Sequence, residues 1–159
     1  PMEGVSKINA SISTVWLGLR SFLLKCVINM PYFTNVLLID DDHDDHEFFV
    51  EAIREIDESI NCQSMFDSEE ALKFLKDDSH QLPDLIVLDT NMPKLNGRQI
   101  LMELKKDPAL MHIPVVMYST LFSDRDNDEF ARLGVANYLA KPSKFGDFRN
   151  MLHEILTRK

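Results

Sequence analysis

Short runs of apolar residues alternate with amphipathic segments from Asn35 to the end of the chain. A continuous run of about four to eight apolar residues is typical of a strand that is buried on both faces. The pattern predicts strands at residues 36–39, 60–66, 85–88, 115–118 and 136–140, of which the second has the weakest signal.

Apolar residues at helical spacing predict a helix after each strand. The first helix has its apolar face on Phe48, Phe49, Ala52, Ile53 and Ile56, and the others span residues 68–77, 98–106, 124–133 and 145–156. Ser68 is the predicted N-cap of the second helix, and Gly134 ends the fourth. Five β–α units predict an α/β fold with a doubly wound parallel sheet and helices on both faces.

The first 34 residues have a different character. They contain a single acid, Glu3, and apolar residues recur at helical spacing over residues 12–27. We therefore predict a helical N-terminal extension over residues 1–34 and one domain over residues 35–159.

Three interpretations of this extension remain open. It could be a leader segment, a helix that docks on the domain or on a second copy of the chain to form a homodimer, or an extension without function upstream of a start at Met30. The leader is the least favoured, because no small-residue cleavage site follows it. Arg20 and Lys25 interrupt the apolar run, and the uncharged stretches are too short to span a bilayer. We expect no association with membranes.

Length, charge and cysteine usage exclude several classes of protein. A chain of 159 residues suits one domain with a full core. The formal net charge of −9 and the lack of a Lys/Arg cluster argue against a nucleic-acid partner. Cys26 and Cys62 lack the spacing of a zinc site, so we interpret them as free thiols of a reducing compartment, the cytoplasm.

The residues that directly follow the apolar runs are the candidates for chemistry, because ligands of a doubly wound sheet bind at the carboxyl ends of its strands. They are Asp40 and Asp41 after the first strand, Asp89 after the third, Ser119 after the fourth and Lys141 after the fifth. We expect them to converge on one edge of the sheet. The second strand ends without such a group, which fits an outer strand.

Several carboxylates in one cleft repel each other unless a positive charge joins them. An incomplete cage of carboxylate oxygens suits Mg²⁺, which keeps some waters and also binds phosphate oxygens. Lys141 adds a second positive charge, and Ser119 adds a hydroxyl donor. A carboxylate nucleophile, Mg²⁺, a lysine and a hydroxyl together predict phosphoryl transfer through an aspartyl phosphate.

Four separated motifs resemble the receiver domains of response regulators in order and spacing. They are LLIDDD at residues 37–42, PDLIVLDTNMP at residues 83–93 with Gly97, IPVVMYS at residues 113–119, and YLAKP at residues 138–142. The resemblance covers residues 35–157. It implies a flavodoxin-like fold with a five-stranded parallel sheet in the order 2-1-3-4-5.

The resemblance implies a role for each matching residue. Asp89 would be the phospho-acceptor. Asp41 would bind Mg²⁺ directly, as would Asp89 and the backbone carbonyl of Asn91, whereas Asp40 would reach the ion through water. Lys141 would pair with the acceptor carboxylate and then with the phosphoryl group.

Further positions match the family's conformational switch. Ser119 stands at the position of the switch hydroxyl, and Tyr138 at that of the aromatic rotamer switch. The Lys141–Pro142 step matches a bond that the resemblance implies to be cis. Asp42, His43 and His46 are weak candidates for recognising the phosphodonor, but a solvated start of the first helix is the favoured interpretation of the two histidines.

Thr120 and Leu121, which directly follow the switch serine, depart from the family pattern. Thr120 replaces a small residue and could crowd the phosphoryl pocket, while Leu121 offers no polar side chain to orient an attacking water. We therefore expect a long-lived phosphoryl group. A self-hydrolysis rate at or above that of receivers with polar residues there would contradict this expectation.

The sequence thus predicts a stand-alone response regulator rather than an enzyme. Its partners would be a sensor histidine kinase or a histidine phosphotransfer protein, and a downstream protein target. The main alternative is a haloacid-dehalogenase-like phosphatase, whose nucleophile and acid/base would match Asp40 and Asp42. That class needs further acids late in the chain, but none directly follows the strand that ends at Lys141, and the later Asp147 and Glu154 fall inside the last predicted helix. A scaffold that has lost phosphorylation is the second alternative.

Overall fold

The computed structural model describes residues 33–142 and 144–157, apart from the side chain of Arg125. The predicted helical extension, with Cys26, therefore lies outside the described residues, except for Phe33 and Thr34. Cys62 is a free, half-buried thiol, as predicted. Burial raises the pKa of this thiol to about 12.

Five strands and five helices alternate along the described residues. They are β1 (Asn35–Ile39), α1 (His43–Ile56), β2 (Asn61–Met65), α2 (Ser68–Leu75), β3 (Leu85–Asp89), α3 (Gly97–Lys106), β4 (Val115–Ser119), α4 (Asp124–Arg132), β5 (Asn137–Ala140) and α5 (Phe145–Thr157). All neighbouring strands are parallel, and their order is β2-β1-β3-β4-β5. The predicted α/β fold and strand order are confirmed.

The apolar runs form strands because both faces of the sheet are covered. Successive side chains of a strand point to opposite faces, so Leu37 and Ile39 pack with α2 and α3, whereas Val36 and Leu38 pack with α1 and α5. The central strands β3 and β4 are buried at every position. The edge strand β2 has no fully buried residue, which explains its weak signal in the sequence.

The start of α2 differs from the prediction and ties this helix to the loop after β3. The N-cap is Asp67, not Ser68, because the Asp67 carboxylate accepts hydrogen bonds from the N–H groups of Glu69 and Glu70. Ser68 is buried, and its hydroxyl donates to the carbonyl of Pro93 at 3.1 Å. The loop that follows Asp89 is thereby held against α2.

The end of α4 agrees with the prediction. Gly134 has a φ of +76° and donates its N–H to the carbonyl of Ala131, as expected for a left-handed residue that ends a helix.

Candidate functional site

The sheet brings the predicted site residues to one edge. Parallel pairing places Leu88 beside Ile39 and Tyr118 beside Asp89, so the residues that follow β1 and end β3 and β4 are neighbours. Asp40, Asp89 and Ser119 are almost completely buried, with 0%, 3% and 2% of their surface exposed.

Asp40 and Asp89 line a cleft of about 240 Å³. It is lined by Asp40, Asp41, Asp42, Asp89, Asn91, Thr120 and Lys141. Four of these seven side chains are acids, and one is a cation. The cleft is therefore negatively charged and suited to a metal ion.

Lys141 forms ion pairs with three carboxylates of the site. Its Nζ lies 2.8 Å from Oδ2 of Asp40 and 3.1 Å from Oδ1 of Asp89, and it donates a hydrogen bond of 2.7 Å to Oδ2 of Asp45. Burial alone would lower the pKa of Lys141, but the three carboxylates hold it above its ordinary value. The ammonium also lies 5.1 Å from the ring centre of the buried Tyr118, a cation–π arrangement.

Asp45 also belongs to the site, although it was not predicted to do so. It lies in the first turn of α1 beside other acids, and the hydrophobic pattern does not distinguish it from them. A signal was nevertheless present, because Phe49 faces the core and Asp45 lies four positions before it, on the same face of the helix.

Asp40 is held from three sides. Its Oδ1 accepts the N–H of Asp42 at 2.9 Å, its Oδ2 faces Lys141, and its carbonyl accepts a hydrogen bond from Nε2 of His46 at 2.6 Å. Burial raises the pKa of Asp40 to about 6, and Asp89 contributes in the same direction, while Lys141 and the N–H of Asp42 oppose the shift.

His43 and His46 do not share one environment, which corrects the prediction for His46. His43 is exposed, as expected. His46 is buried, because its ring packs on Phe66 and turns inward to the Asp40 carbonyl. A carbonyl can only accept, so Nε2 carries the hydrogen. Burial lowers the pKa of His46, which favours the neutral ring.

Neighbouring residues hold the side chain of Asp89 and pack closely against its backbone. Oδ2 of Asp89 accepts the N–H of Asn91 at 2.8 Å, while Oδ1 faces Lys141. A Cβ placed on Gly97 would clash with the backbone carbonyl oxygen of Asp89. The first residue of α3 must therefore be glycine for the helix to approach the end of β3 this closely.

Three carboxylates form a group that fits a divalent cation. Oxygen atoms of Asp40, Asp41 and Asp89 all lie within 4.8 Å of one another. Asp40 and Asp89 are buried, whereas Asp41 is exposed at the mouth of the cleft. Carboxylate oxygens are the ligands that Mg²⁺ prefers, so the residues present fit this ion.

The Ser119 hydroxyl is at the same edge of the sheet but has other partners. It accepts a hydrogen bond from Oγ1 of Thr90 at 2.8 Å and donates one to the carbonyl of Leu121 at 2.9 Å. Thr120 lines the cleft, and the side chain of Leu121 is 85% exposed. The slow loss of a phosphoryl group expected from these two residues stays a prediction.

Tyr138 lies away from the cleft. The half-buried ring packs edge-on against Phe122, and its hydroxyl donates to the carbonyl of Asn127 in α4 at 2.9 Å.

The Lys141–Pro142 bond is trans, not cis, since the described residues contain no cis peptide bond. Lys141 reaches the carboxylates from this trans arrangement, because the N–H of Lys141 donates to the carbonyl of Ser119 and so fixes its backbone beside β4.

The fold and the site define an α/β protein with an acidic cleft and a buried lysine at the carboxyl edge of its parallel sheet. The sequence model of the response regulator receiver domain family matches residues 36–153 of this chain. The chain belongs to this family, whose members act in two-component signalling.

Relatives and solved structures agree with this assignment. The chain is 32% identical to the two-component response regulator ORR13 of Oryza sativa subsp. japonica, over 76% of this chain and 97% of the relative. It is 31% identical to the response regulator Rcp1 of Synechocystis, over 76% of this chain and 84% of the relative. These findings give no support to the phosphatase alternative.

Among solved structures, the phosphorylated cyanobacterial phytochrome response regulator RcpA superposes with a TM-score of 0.70 at 30% identity, over 77% of this chain and 90% of the other. The Mn²⁺-bound form of Rcp1 superposes with a TM-score of 0.66 at 30% identity, over 77% of this chain and 91% of the other.

None of the helices in the described part of the chain has the length and apolar character that a membrane span needs.

Proposed function

We propose that this chain accepts a phosphoryl group on Asp89 from a phosphohistidine of a sensor histidine kinase or a histidine phosphotransfer protein. The observation that carries the proposal is the arrangement around Asp89. Its buried carboxylate lies 3.1 Å from the ammonium of Lys141, with oxygens of Asp40 and Asp41 within 4.8 Å.

In the transfer, a carboxylate oxygen of Asp89 attacks phosphorus and forms the O–P bond of an acyl phosphate. The N–P bond of the donor breaks, and its electron pair returns to the imidazole. The Asn91 N–H holds the other carboxylate oxygen of Asp89, which orients the nucleophile. Lys141 offsets negative charge on the phosphoryl oxygens.

Asp41, Asp89 and the backbone carbonyl of Asn91 would hold Mg²⁺ directly, and Asp40 would hold it through a water. When bound, the ion neutralises charge on the phosphoryl oxygens and draws the donor phosphate into the acidic cleft. Two similar solved structures support the proposal, because Rcp1 was crystallised with Mn²⁺ bound and RcpA in the phosphorylated state.

The output of the reaction is a change in binding to a downstream protein. The new phosphoryl group would draw the Ser119 hydroxyl toward itself, and Tyr138 would change its rotamer in response. Both residues flank α4, since Ser119 ends the preceding strand and the Tyr138 hydroxyl is bonded to the Asn127 carbonyl. We therefore expect the surface formed by α4, β5 and α5 to contact the target.

The experiment is incubation with acetyl phosphate, with and without Mg²⁺, followed by intact-mass spectrometry. Wild type should gain one phosphoryl group only when Mg²⁺ is present, and D89N should gain none. Hydrolysis of a generic phosphate ester with turnover would point instead to a phosphatase. An equal mass gain in D89N would contradict the proposal.

A further inference from the structure

We propose that Thr90 is a positioning residue that holds the Ser119 hydroxyl away from the phospho-acceptor until Asp89 is modified. The inference rests on the proposed function, because it takes Ser119 as the hydroxyl that contacts the phosphoryl group. It adds a residue to which neither the family resemblance nor the comparisons assign a role.

The hydroxyl of Ser119 is fully engaged in the structure. Its oxygen accepts the hydroxyl hydrogen of Thr90 at 2.8 Å, and its own hydrogen goes to the carbonyl of Leu121 at 2.9 Å. A serine hydroxyl has only one hydrogen to donate. Ser119 is 2% exposed, so water does not readily replace either partner. Donation to a phosphoryl oxygen therefore requires the bond to the Leu121 carbonyl to break, and a movement of the hydroxyl toward Asp89 also takes its oxygen away from Thr90.

Thr90 is well placed to hold Ser119 because its own backbone is fixed at both ends. Its N–H donates to the carbonyl of Tyr118 at 3.2 Å, which continues the pairing of β3 with β4 by one residue. Its carbonyl accepts the N–H of Gly97 at 3.2 Å, at the start of α3. With its backbone fixed at both ends, the residue keeps its hydroxyl beside Ser119.

The position of Thr90 gives it a direct effect on the switch. It follows Asp89 in the chain and faces Ser119 on the neighbouring strand, so it links the acceptor to the hydroxyl that must move. Each hydrogen bond that Ser119 must give up stabilises the unmodified arrangement relative to the phosphorylated one. Loss of the Thr90 hydroxyl should therefore favour the phosphorylated arrangement.

The test is the affinity for beryllofluoride, a non-covalent analogue of the phosphoryl group, measured with Mg²⁺ present. T90V keeps the shape of the side chain and removes its hydroxyl, and we expect it to bind the analogue about threefold to tenfold more tightly than wild type, the ratio that one neutral hydrogen bond supplies. T90S keeps the hydroxyl, and its affinity should stay within about twofold of that of wild type.

A double-mutant cycle shows whether Thr90 acts through Ser119. In an S119A background, the T90V substitution should leave the affinity for beryllofluoride unchanged, because the partner of the Thr90 hydroxyl is already absent. A merely structural effect of T90V would persist in that background. If T90V does not fold, as judged by its thermal unfolding, T90A takes its place in the same cycle.

The outcomes separate the two proposals. If wild type does not bind beryllofluoride with Mg²⁺, the proposed function fails and the role of Thr90 fails with it. If wild type binds but T90V binds equally or more weakly, the role of Thr90 is wrong and the proposed function stands. Tighter binding by T90V that persists with S119A would also overturn the role assigned to Thr90.

Discussion

Lys141 donates a hydrogen bond of 2.7 Å to Asp45, although 96 positions separate the two residues in the chain. Lys141 follows β5 at the edge of the sheet, whereas Asp45 lies in the first turn of α1. In the proposed reaction, the Asp89 carboxylate would lose its own charge on becoming an acyl phosphate, and Asp40 would hold the metal through a water. Asp45 would then be the carboxylate that continues to hold Lys141 beside the phosphoryl group.

We therefore expect D45N to slow phosphorylation by acetyl phosphate about threefold to tenfold, since a charge-assisted hydrogen bond on the lysine becomes a weaker neutral one. The rate is measured by intact mass over time at saturating Mg²⁺. D44N is the matched control, because it removes an acid from the same helical turn and Asp44 is exposed. Equal rates for D45N and D44N would show that only net charge matters.

Binding of Mg²⁺ should stabilise the fold. A ligand that binds only the folded state adds about 2.7 kcal/mol to the free energy of unfolding at 100 times its Kd. Thermal unfolding with increasing Mg²⁺ should show a rising midpoint for wild type and little change for D41N. D42N is the control, because Asp42 is outside the carboxylate group and asparagine can also cap α1. Loss of the Mg²⁺ effect in D42N but not in D41N would contradict the assigned ligands.

Gly97 should tolerate no larger residue. The added Cβ of G97A would clash with the backbone of Asp89, so either α3 or the acceptor loop must shift. We expect a loss of about 1–3 kcal/mol in the free energy of unfolding, together with slower phosphorylation. Gly146 of α5 is the control, since a Cβ there meets no atom within 4 Å. G146A should be neutral or more stable by up to about 1 kcal/mol in a urea titration. A stable and fully active G97A would be inconsistent with this packing.

His46 should matter for stability, and its neighbour His43 should not. H46F keeps an aromatic ring on Phe66 but leaves the carbonyl of Asp40 without its histidine donor, which should cost about 1–2 kcal/mol in urea unfolding. H43F also keeps its stacking on Phe66 and should change stability by less than about 0.5 kcal/mol, because His43 is exposed. Equal effects of the two substitutions would show that the buried hydrogen bond adds nothing.

Much of this molecule could be predicted from its sequence, because the two kinds of signal that matter are local. Apolar runs mark strands that are covered on both faces, as at Leu85–Asp89 and Val115–Ser119. The residue that follows each run is placed at the carboxyl edge by the parallel sheet itself. The pattern alone was therefore enough to predict a common edge for four residues, namely Asp40, Asp89, Ser119 and Lys141.

The missed features are those that depend on contacts between elements. Asp45 and His46 lie in a polar stretch, and which of its side chains turn inward depends on where α1 begins, at the Asp42 cap. With that start fixed, Phe49 marks the inward face, and Asp45 and His46 fall four and three positions before it. The partners of Thr90 and Ser68 could not be predicted, because they lie on other elements whose approach is set by the packed fold.

The most direct test of the account is to identify the residue that carries the phosphoryl group. An acyl phosphate has an electrophilic carbonyl carbon, so borohydride reduces a phosphorylated aspartate to homoserine and leaves free carboxylates unchanged. After treatment with acetyl phosphate and Mg²⁺, peptide mapping should find homoserine in place of Asp89 and at no other acid. Homoserine in place of Asp40 or Asp41, or none at all, would contradict the central claim.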